Sequence, residues 1–146
     1  TNDAPSTITR MIDMGIPRYL IASSVRLIIA QRLVRKLCEC AKSQEQSSIN
    51  ENDIKKWNLS MDDAKLFKTA KGCKKCNNSG YSGRISIFQI LNVTAKVKSL
   101  ISSEASETDI ENEAKVSGML NLKDSGIALL KKGIISFEEL ERVVTE

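Results

Sequence analysis

All four cysteines of this chain fall in two close pairs, Cys38/Cys40 and Cys73/Cys76, with 32 residues between the pairs. Four thiols held at two points either crosslink the chain or gather on one centre, and three readings compete. Disulfides within the pairs would close loops too short to stabilise much, and nothing else suggests an oxidising compartment. Buried structural thiols fit poorly with flanks that are polar and rich in Lys. A tetrahedral zinc thiolate fits best, because zinc takes four soft ligands and paired cysteines in tight turns supply them with little chain ordering. Cys73-Lys74-Lys75-Cys76 has the usual knuckle spacing, in which backbone N–H groups can point at the sulfurs and offset their charge. Cys38-Glu39-Cys40 is one residue shorter than C-x-x-C, so its turn must be tighter. Lys71, Lys74, Lys75 and Arg84 surround what would be a negatively charged site. A closed site of this kind has no open position for water, so its role is structural. Thiolate binding contributes on the order of 10 kcal/mol to folding, which would compensate for a core with 4% aromatic residues.

The chain has 146 residues, enough for one ordinary domain or for two small ones plus the end of a larger one. Hydrophobic content of 41% and charged content of 27% are globular values. The densest apolar stretch, Tyr19 to Ala30, is broken by Ser23, Ser24 and Arg26, so no run reaches the roughly 18 residues of a transmembrane span. The start, Thr1-Asn2-Asp3, carries no Met and no leader, and suggests a trimmed fragment. There is no His, which excludes Ser-His and Cys-His nucleophile pairs and imidazole ligands. There is no G-x-x-x-x-G-K-[ST], and the glycines never assemble a phosphate-cradling loop. The residues show no catalytic apparatus. A net charge of +4 is too weak to name a partner, whether an acidic protein or an anionic lipid.

Helical punctuation is clear at both ends. Asp3 or Asn2 caps a first helix, Pro5 suits its first turn and Gly15 its left-handed stop. The periodicity of Ile21, Val25, Ile28, Ile29, Leu33, Val34 and Leu37 predicts a long helix over roughly Arg18 to Leu37, with a wide apolar stripe that needs a larger partner surface. Ala41 to Asp53 is polar and reads as a loop. Two short helical pieces are expected at Asp53 to Trp57 and Asp62 to Phe67. Arg84 to Leu91 predicts a short strand. Thr94 caps a helix carrying Val97, Leu100 and Ile101. Ser106 with Asp109 is a capping box for the next helix, which Gly118 ends. A third runs from Leu122 to Lys132 and stops at Gly133. Ser136 with Glu139 is a second capping box, followed by Leu140, Val143 and Val144 on one face. The fold class expected is mainly α with a short β element and a small tetracysteine zinc module.

Gly72-Cys73-Lys74-Lys75-Cys76-Asn77-Asn78-Ser79-Gly80-Tyr81-Ser82-Gly83-Arg84 resembles the signature G-C-x-x-C-x-x-x-G-Y-x-G-R of the ATPases that power type II secretion, type IV pilus assembly and DNA-uptake pseudopili. Thr1 to Arg10 with Asp13-Met14-Gly15 is similar to the segment just after that family's histidine box. Ile21 to Ser24, Ala30 to Arg35 and Leu37-Cys38 resemble its next motif, and Gly133 to Val143 its C-terminal ending. The resemblance covers essentially the whole chain, in matching order and spacing. It implies a hexamer of RecA-like P-loop cores whose ATP hydrolysis, with Mg2+, drives an inner-membrane platform protein of a pilus or secretion machine. It implies a cytoplasmic protein peripheral at the inner membrane; the mild positive charge is compatible with peripheral contact with anionic lipid, and the residues name no specific nucleic-acid partner. The nucleotide-binding motifs lie upstream of Thr1 in the family, so this fragment is expected to be inactive. Residues 1–37 would be the C-terminal helices of the ATPase core, 38–83 the zinc module held by Cys38, Cys40, Cys73 and Cys76, and 84–146 a C-terminal helical region. Retraction motors generally lack the four-cysteine module.

The chain departs from the family in two places. C-x-C stands where the family has C-x-x-C. After Arg84, Ser86 and Gln89 stand where the family has a second Gly and a Glu, so any salt bridge made by that Glu is expected to be absent. Gln31, Arg32, Arg35 and Arg10 suit either a nucleotide or subunit interface or the polar face of a buried helix, and the lysine pairs Lys74-Lys75 and Lys131-Lys132 suit a solvated surface better than contact with acidic lipid or a platform protein. Two other functions remain. An autonomous zinc-ribbon adaptor binding protein or nucleic acid would use the same cysteines, but stacking aromatics are scarce and charges alternate. A redox protein using Cys73 and Cys76 would lack the βαβ surroundings and leave Cys38 and Cys40 unexplained.

Overall fold

The computed structural model describes residues 2–45 and 48–145, so residues 46 and 47 of the expected polar loop lie outside the described residues. The elements run α1 (Ala4–Asp13), α2 (Arg18–Ser24), β1 (Leu27–Leu37), β2 (Lys42–Ser43), α3 (Glu51–Lys56), α4 (Met61–Ala64), β3 (Lys68–Thr69), β4 (Tyr81–Asn92), α5 (Ala95–Ser102), α6 (Glu107–Val116), α7 (Leu122–Lys131) and α8 (Phe137–Thr145). A single 3-10 turn covers Lys74–Cys76. Helices dominate, but the β element is longer than expected. β1 and β4 pair in one sheet, and β2 pairs with β3 in another. The Val93 N–H donates to the Arg26 carbonyl and the Cys38 N–H to the Gly80 carbonyl, so β1 and β4 run antiparallel. No helix among the described residues is long and apolar enough to cross a membrane.

The long helix expected over Arg18 to Leu37 is a correction. The chain leaves the helix at Val25, which is extended, and continues as the 11-residue strand β1. Ile28 and Val34 face inward, whereas Leu27, Ile29 and Leu33 on the opposite face stay 46%, 54% and 48% exposed. Apolar residues on both faces of a strand imitate the helical repeat. The β-branched Val25, Ile28, Ile29 and Val34 fit a pleated surface better than a helix.

The chain divides into two compact units. The first comprises Thr1–Gln31 and Phe88–Leu122. Its core gathers Ile8, Ile21, Ile28, Leu91, Val97, Ile101 and Ile110. The Asp3 carboxylate accepts the Ser6 N–H at 2.8 Å and caps α1, with Pro5 in the first turn. The Ala4 N–H, another of the unpaired donors of that helix end, donates to Gln89 Oε1 at 2.8 Å. Gln89 is buried. Where a Glu salt bridge was expected to be lost, a neutral hydrogen bond still ties β4 to α1. Thr94 caps α5, and Ser106 with Asp109 forms the expected capping box of α6, a device that stabilises by about 1 kcal/mol.

The second unit comprises Arg32–Ile87 and Lys123–Glu146. β2 and β3 pair antiparallel, with Lys42 opposite Thr69 and Ser43 opposite Lys68, inside and beyond the stretch expected as loop. Phe137 packs on Trp57 and Phe67, with ring centroids 4.9 and 6.2 Å away. Gly126 of α7 lies directly against Leu140 of α8, leaving no room for a Cβ.

Ser136 accepts the Glu139 N–H, as half of a capping box should. The Glu139 side chain does not complete the box. It is buried and reaches Arg35 and Arg142 instead. Burial would raise its pKa, but hydrogen bonds from Arg142 and Arg35 outweigh burial and hold it at about 2, below the ordinary 4.5. A depressed carboxyl stabilises the fold above its unfolded pKa, and that stability is lost as pH falls through the folded pKa. The charged groups facing it are the two guanidiniums, with the Tyr81 ring against Arg35. Glu139→Gln should therefore be less stable than wild type at pH 6 in urea unfolding. The gap should close as pH falls from about 4.5 towards about 2. A gap independent of pH would show that the carboxylate charge is not what stabilises.

Candidate metal centre

The two cysteine pairs meet where β1 ends and β4 begins. β1 delivers Cys38 one residue past its end, and the Ala41 N–H donates back to the Cys38 carbonyl at 2.9 Å. That is the tight turn a C-x-C pair requires. The second pair sits on a knuckle: the Asn78 N–H donates to the Cys73 carbonyl at 2.8 Å and the Ser79 N–H to the Cys76 carbonyl at 3.0 Å. Asn77 and Asn78 take left-handed conformations, with φ of 51° and 60°, which Asn tolerates better than most residues. The hydrogen bond from the Cys38 N–H to the Gly80 carbonyl, 2.9 Å, joins the two halves.

All four sulfurs lie within 4.8 Å of one another. Three separations are 3.8 Å (Cys38–Cys73), 3.9 Å (Cys40–Cys76) and 3.7 Å (Cys73–Cys76). A disulfide requires about 2.05 Å, and the thiols are free. A tetrahedral zinc thiolate with bonds of about 2.3 Å has edges of about 3.8 Å. The donor set therefore fits a tetrahedral soft metal ion.

The electrostatics point the same way. Burial would raise the Cys76 pKa, but the Cys73 and Gly80 N–H groups, each 3.2 Å from its sulfur, bring it down to about 6. Burial pushes Cys40 up to about 11, helped by hydrogen bonds to the other three thiols. One sulfur is prepared as a thiolate while its neighbour resists ionisation beside it. Between Asp63 and Glu104 the chain has no acidic residue, and Lys71, Lys74, Lys75 and Arg84 fall in that stretch. Lys75 pairs with Glu39 at 2.9 Å, but both side chains are exposed and the pair adds little.

Gly80 is required twice over. Its φ is +80°, and a Cβ there would stand 2.5 Å from the Ala70 Cβ. Gly80→Ala should cost about 1–3 kcal/mol, read as a lower urea midpoint. Gly15→Ala, at φ +85° with no neighbour within 4 Å, should cost less. Equal losses would show that contact with Ala70 does not matter.

The other residues singled out in the sequence do not join this centre. Gln31 and Arg32 lie on β1 rather than on a helix, and Arg10 is exposed on α1. Lys131 pairs with Asp63 at 3.2 Å. Arg35 is held by Glu139, and its guanidinium lies 4.3 Å from the centroid of the Tyr81 ring. The Tyr81 hydroxyl meets the Ser136 hydroxyl at 2.8 Å. This Arg35–Glu139–Tyr81–Ser136 cluster was missed in the sequence. A signal existed: Glu139 shares a helical stripe with Leu140 and Val143, and a carboxylate on an apolar stripe needs a buried partner.

Residues 1–142 match the family model described as type II/IV secretion system protein. The type II secretion system ATPase E of Vibrio cholerae is 37% identical over 100% of this chain and 28% of its own length. The type IV pilus assembly ATPase TfpB of Acinetobacter baylyi is 35% identical over 99% of this chain and 25% of its own length. The type IV pilus assembly ATPase PilB of Pseudomonas aeruginosa is 35% identical over 100% and 26%. The chain thus spans about a quarter of the length of these relatives. A match that runs from the first residue to the last helix leaves one conclusion: the chain belongs to the type II/IV secretion system protein family.

Proposed function

We propose that the chain is the non-catalytic C-terminal part of a motor ATPase that powers type IV pilus assembly or type II secretion, with a structural zinc ion at Cys38, Cys40, Cys73 and Cys76. The observation that carries this reading is the cysteine cluster: four sulfurs at zinc-thiolate spacing, in a chain whose relatives are named as pilus-assembly and secretion ATPases. Zinc supplies a four-way crosslink there and neutralises thiolate charge; the fold of residues 38–83 depends on that link. Residues 1–37, now α1, α2 and β1, are the end of a RecA-like ATPase core, and 84–146 form the C-terminal region. The whole protein acts as a cytoplasmic homohexamer at the inner membrane, on a platform protein of the machine, using ATP and Mg2+.

The exposed Leu27, Ile29 and Ile90 of β1 and β4 support a larger core. Side chains of this size on one strand face suit burial under protein rather than contact with water. A free-standing zinc-ribbon adaptor is disfavoured by a family match that spans the chain. The test is ATP hydrolysis. The full-length protein should hydrolyse ATP with Mg2+, and residues 1–146 alone should not. Turnover by the isolated chain that survives repurification would contradict the assignment.

A further inference from the structure

The metal centre hangs on two strand ends, and both are gripped by the same short stretch of the C-terminal tail. Alternate N–H groups of a strand point to opposite edges. In β1 the Cys38 N–H turns towards β4 and meets Gly80. Those of Arg35 and Leu37 turn to the other edge, where they meet Glu139 Oε1 at 2.9 Å and the Ile134 carbonyl at 2.9 Å. Glu139 Oε2 also accepts from the Arg35 Nε at 3.0 Å and from its terminal nitrogen at 2.7 Å. Arg35 thus stands clamped three residues before the first cysteine.

The other strand end is held by the same tail. Tyr81 follows Gly80, whose N–H donates to Cys76 Sγ and whose carbonyl accepts from Cys38. The Tyr81 hydroxyl bonds Ser136, a buried residue whose hydroxyl also accepts the Glu139 N–H. The Arg35 guanidinium, drawn to Glu139, covers the Tyr81 ring. A buried carboxylate with five hydrogen bonds from two guanidiniums and one backbone N–H is a fixed point rather than an adaptable contact.

We infer that Glu139, acting through Arg35 and with Ser136 through Tyr81, is a positioning residue for the metal centre, holding Cys38 and the Gly80 end of the knuckle at ligating distance. The inference rests on the zinc reading above. Without the clamp the two cysteine pairs can part while the metal is still bound to one of them, so the ion leaves faster. Groups that orient ligands from behind change metal affinity by about 10- to 100-fold when replaced.

The experiment follows transfer of zinc from the loaded protein to a coloured chelator, alongside the visible spectrum of the cobalt-substituted protein. Glu139→Gln should release zinc at least about tenfold faster, and its cobalt bands should shift or weaken. Tyr81→Phe removes a single hydroxyl, keeps the ring under the Arg35 guanidinium, and should also accelerate release. Phe67→Leu loosens the same unit through Phe137 while removing none of the clamp's hydrogen bonds. It should lower the melting temperature yet leave zinc release from the folded protein and the cobalt bands unchanged. If Glu139→Gln does not fold, Tyr81→Phe decides. Release at the wild-type rate from the folded variants overturns this inference alone, as does acceleration by Phe67→Leu equal to that of Tyr81→Phe. A wild-type protein that takes up no zinc overturns the zinc reading and this inference together.

Discussion

Four thiols within 4.8 Å of one another cannot all ionise unless a cation stands among them. That constraint organises the second unit of the molecule. The C-x-C turn, the left-handed knuckle with its asparagines and the glycine at position 80 bring the sulfurs together at a cost in backbone freedom. Free thiols would not repay that cost, because they offer each other only weak hydrogen bonds. A tetrahedral ion would, with binding energy that becomes folding energy. The N–H groups of Cys73 and Gly80 have already prepared one sulfur as a thiolate.

Beyond the cysteines the second unit buries an aromatic cluster of Trp57, Phe67 and Phe137, and Val34, Ile54, Ile87, Leu130, Ile135 and Leu140 are buried in it as well. The edge of β1 that does not face β4 would expose unpaired N–H groups, and the tail satisfies those of Arg35 and Leu37. The first unit contains no cysteine and is held by an aliphatic core that includes Ile8, Ile21, Leu91, Ile101 and Ile110. Its helix ends are closed by Asp3, Thr94, Ser106 and the buried Gln89. Both units thus bury an apolar core, and the second alone also brings four cysteines together.

Much of this was legible in the residues. Asp3, Thr94 and the Ser106–Asp109 pair mark helix starts because their side chains have one strong local use. The four cysteines pointed to one centre because two tight turns leave thiols few other roles. β1 was not legible, since leucines and isoleucines on both faces of a strand reproduce the helical spacing and the choice is made by pairing with β4, a partner far away in sequence. β2 and β3 were hidden for the same reason: two residues each, defined only by each other. Glu139 was half legible. Ser136-x-x-Glu139 promised a local cap, and the hydroxyl honours it, but contact of the buried carboxylate with the half-exposed guanidiniums of Arg35 and Arg142 outcompetes the return bond.

Metal content decides between a zinc-linked and a metal-free second unit, and native mass spectrometry of the protein purified without added zinc measures it. One zinc per chain is expected, retained by the wild type and lost when any one of Cys38, Cys40, Cys73 or Cys76 is replaced by Ser. A metal-free protein with four titratable thiols that keeps its protease resistance would contradict the zinc reading, because the second unit would then hold together without the proposed crosslink.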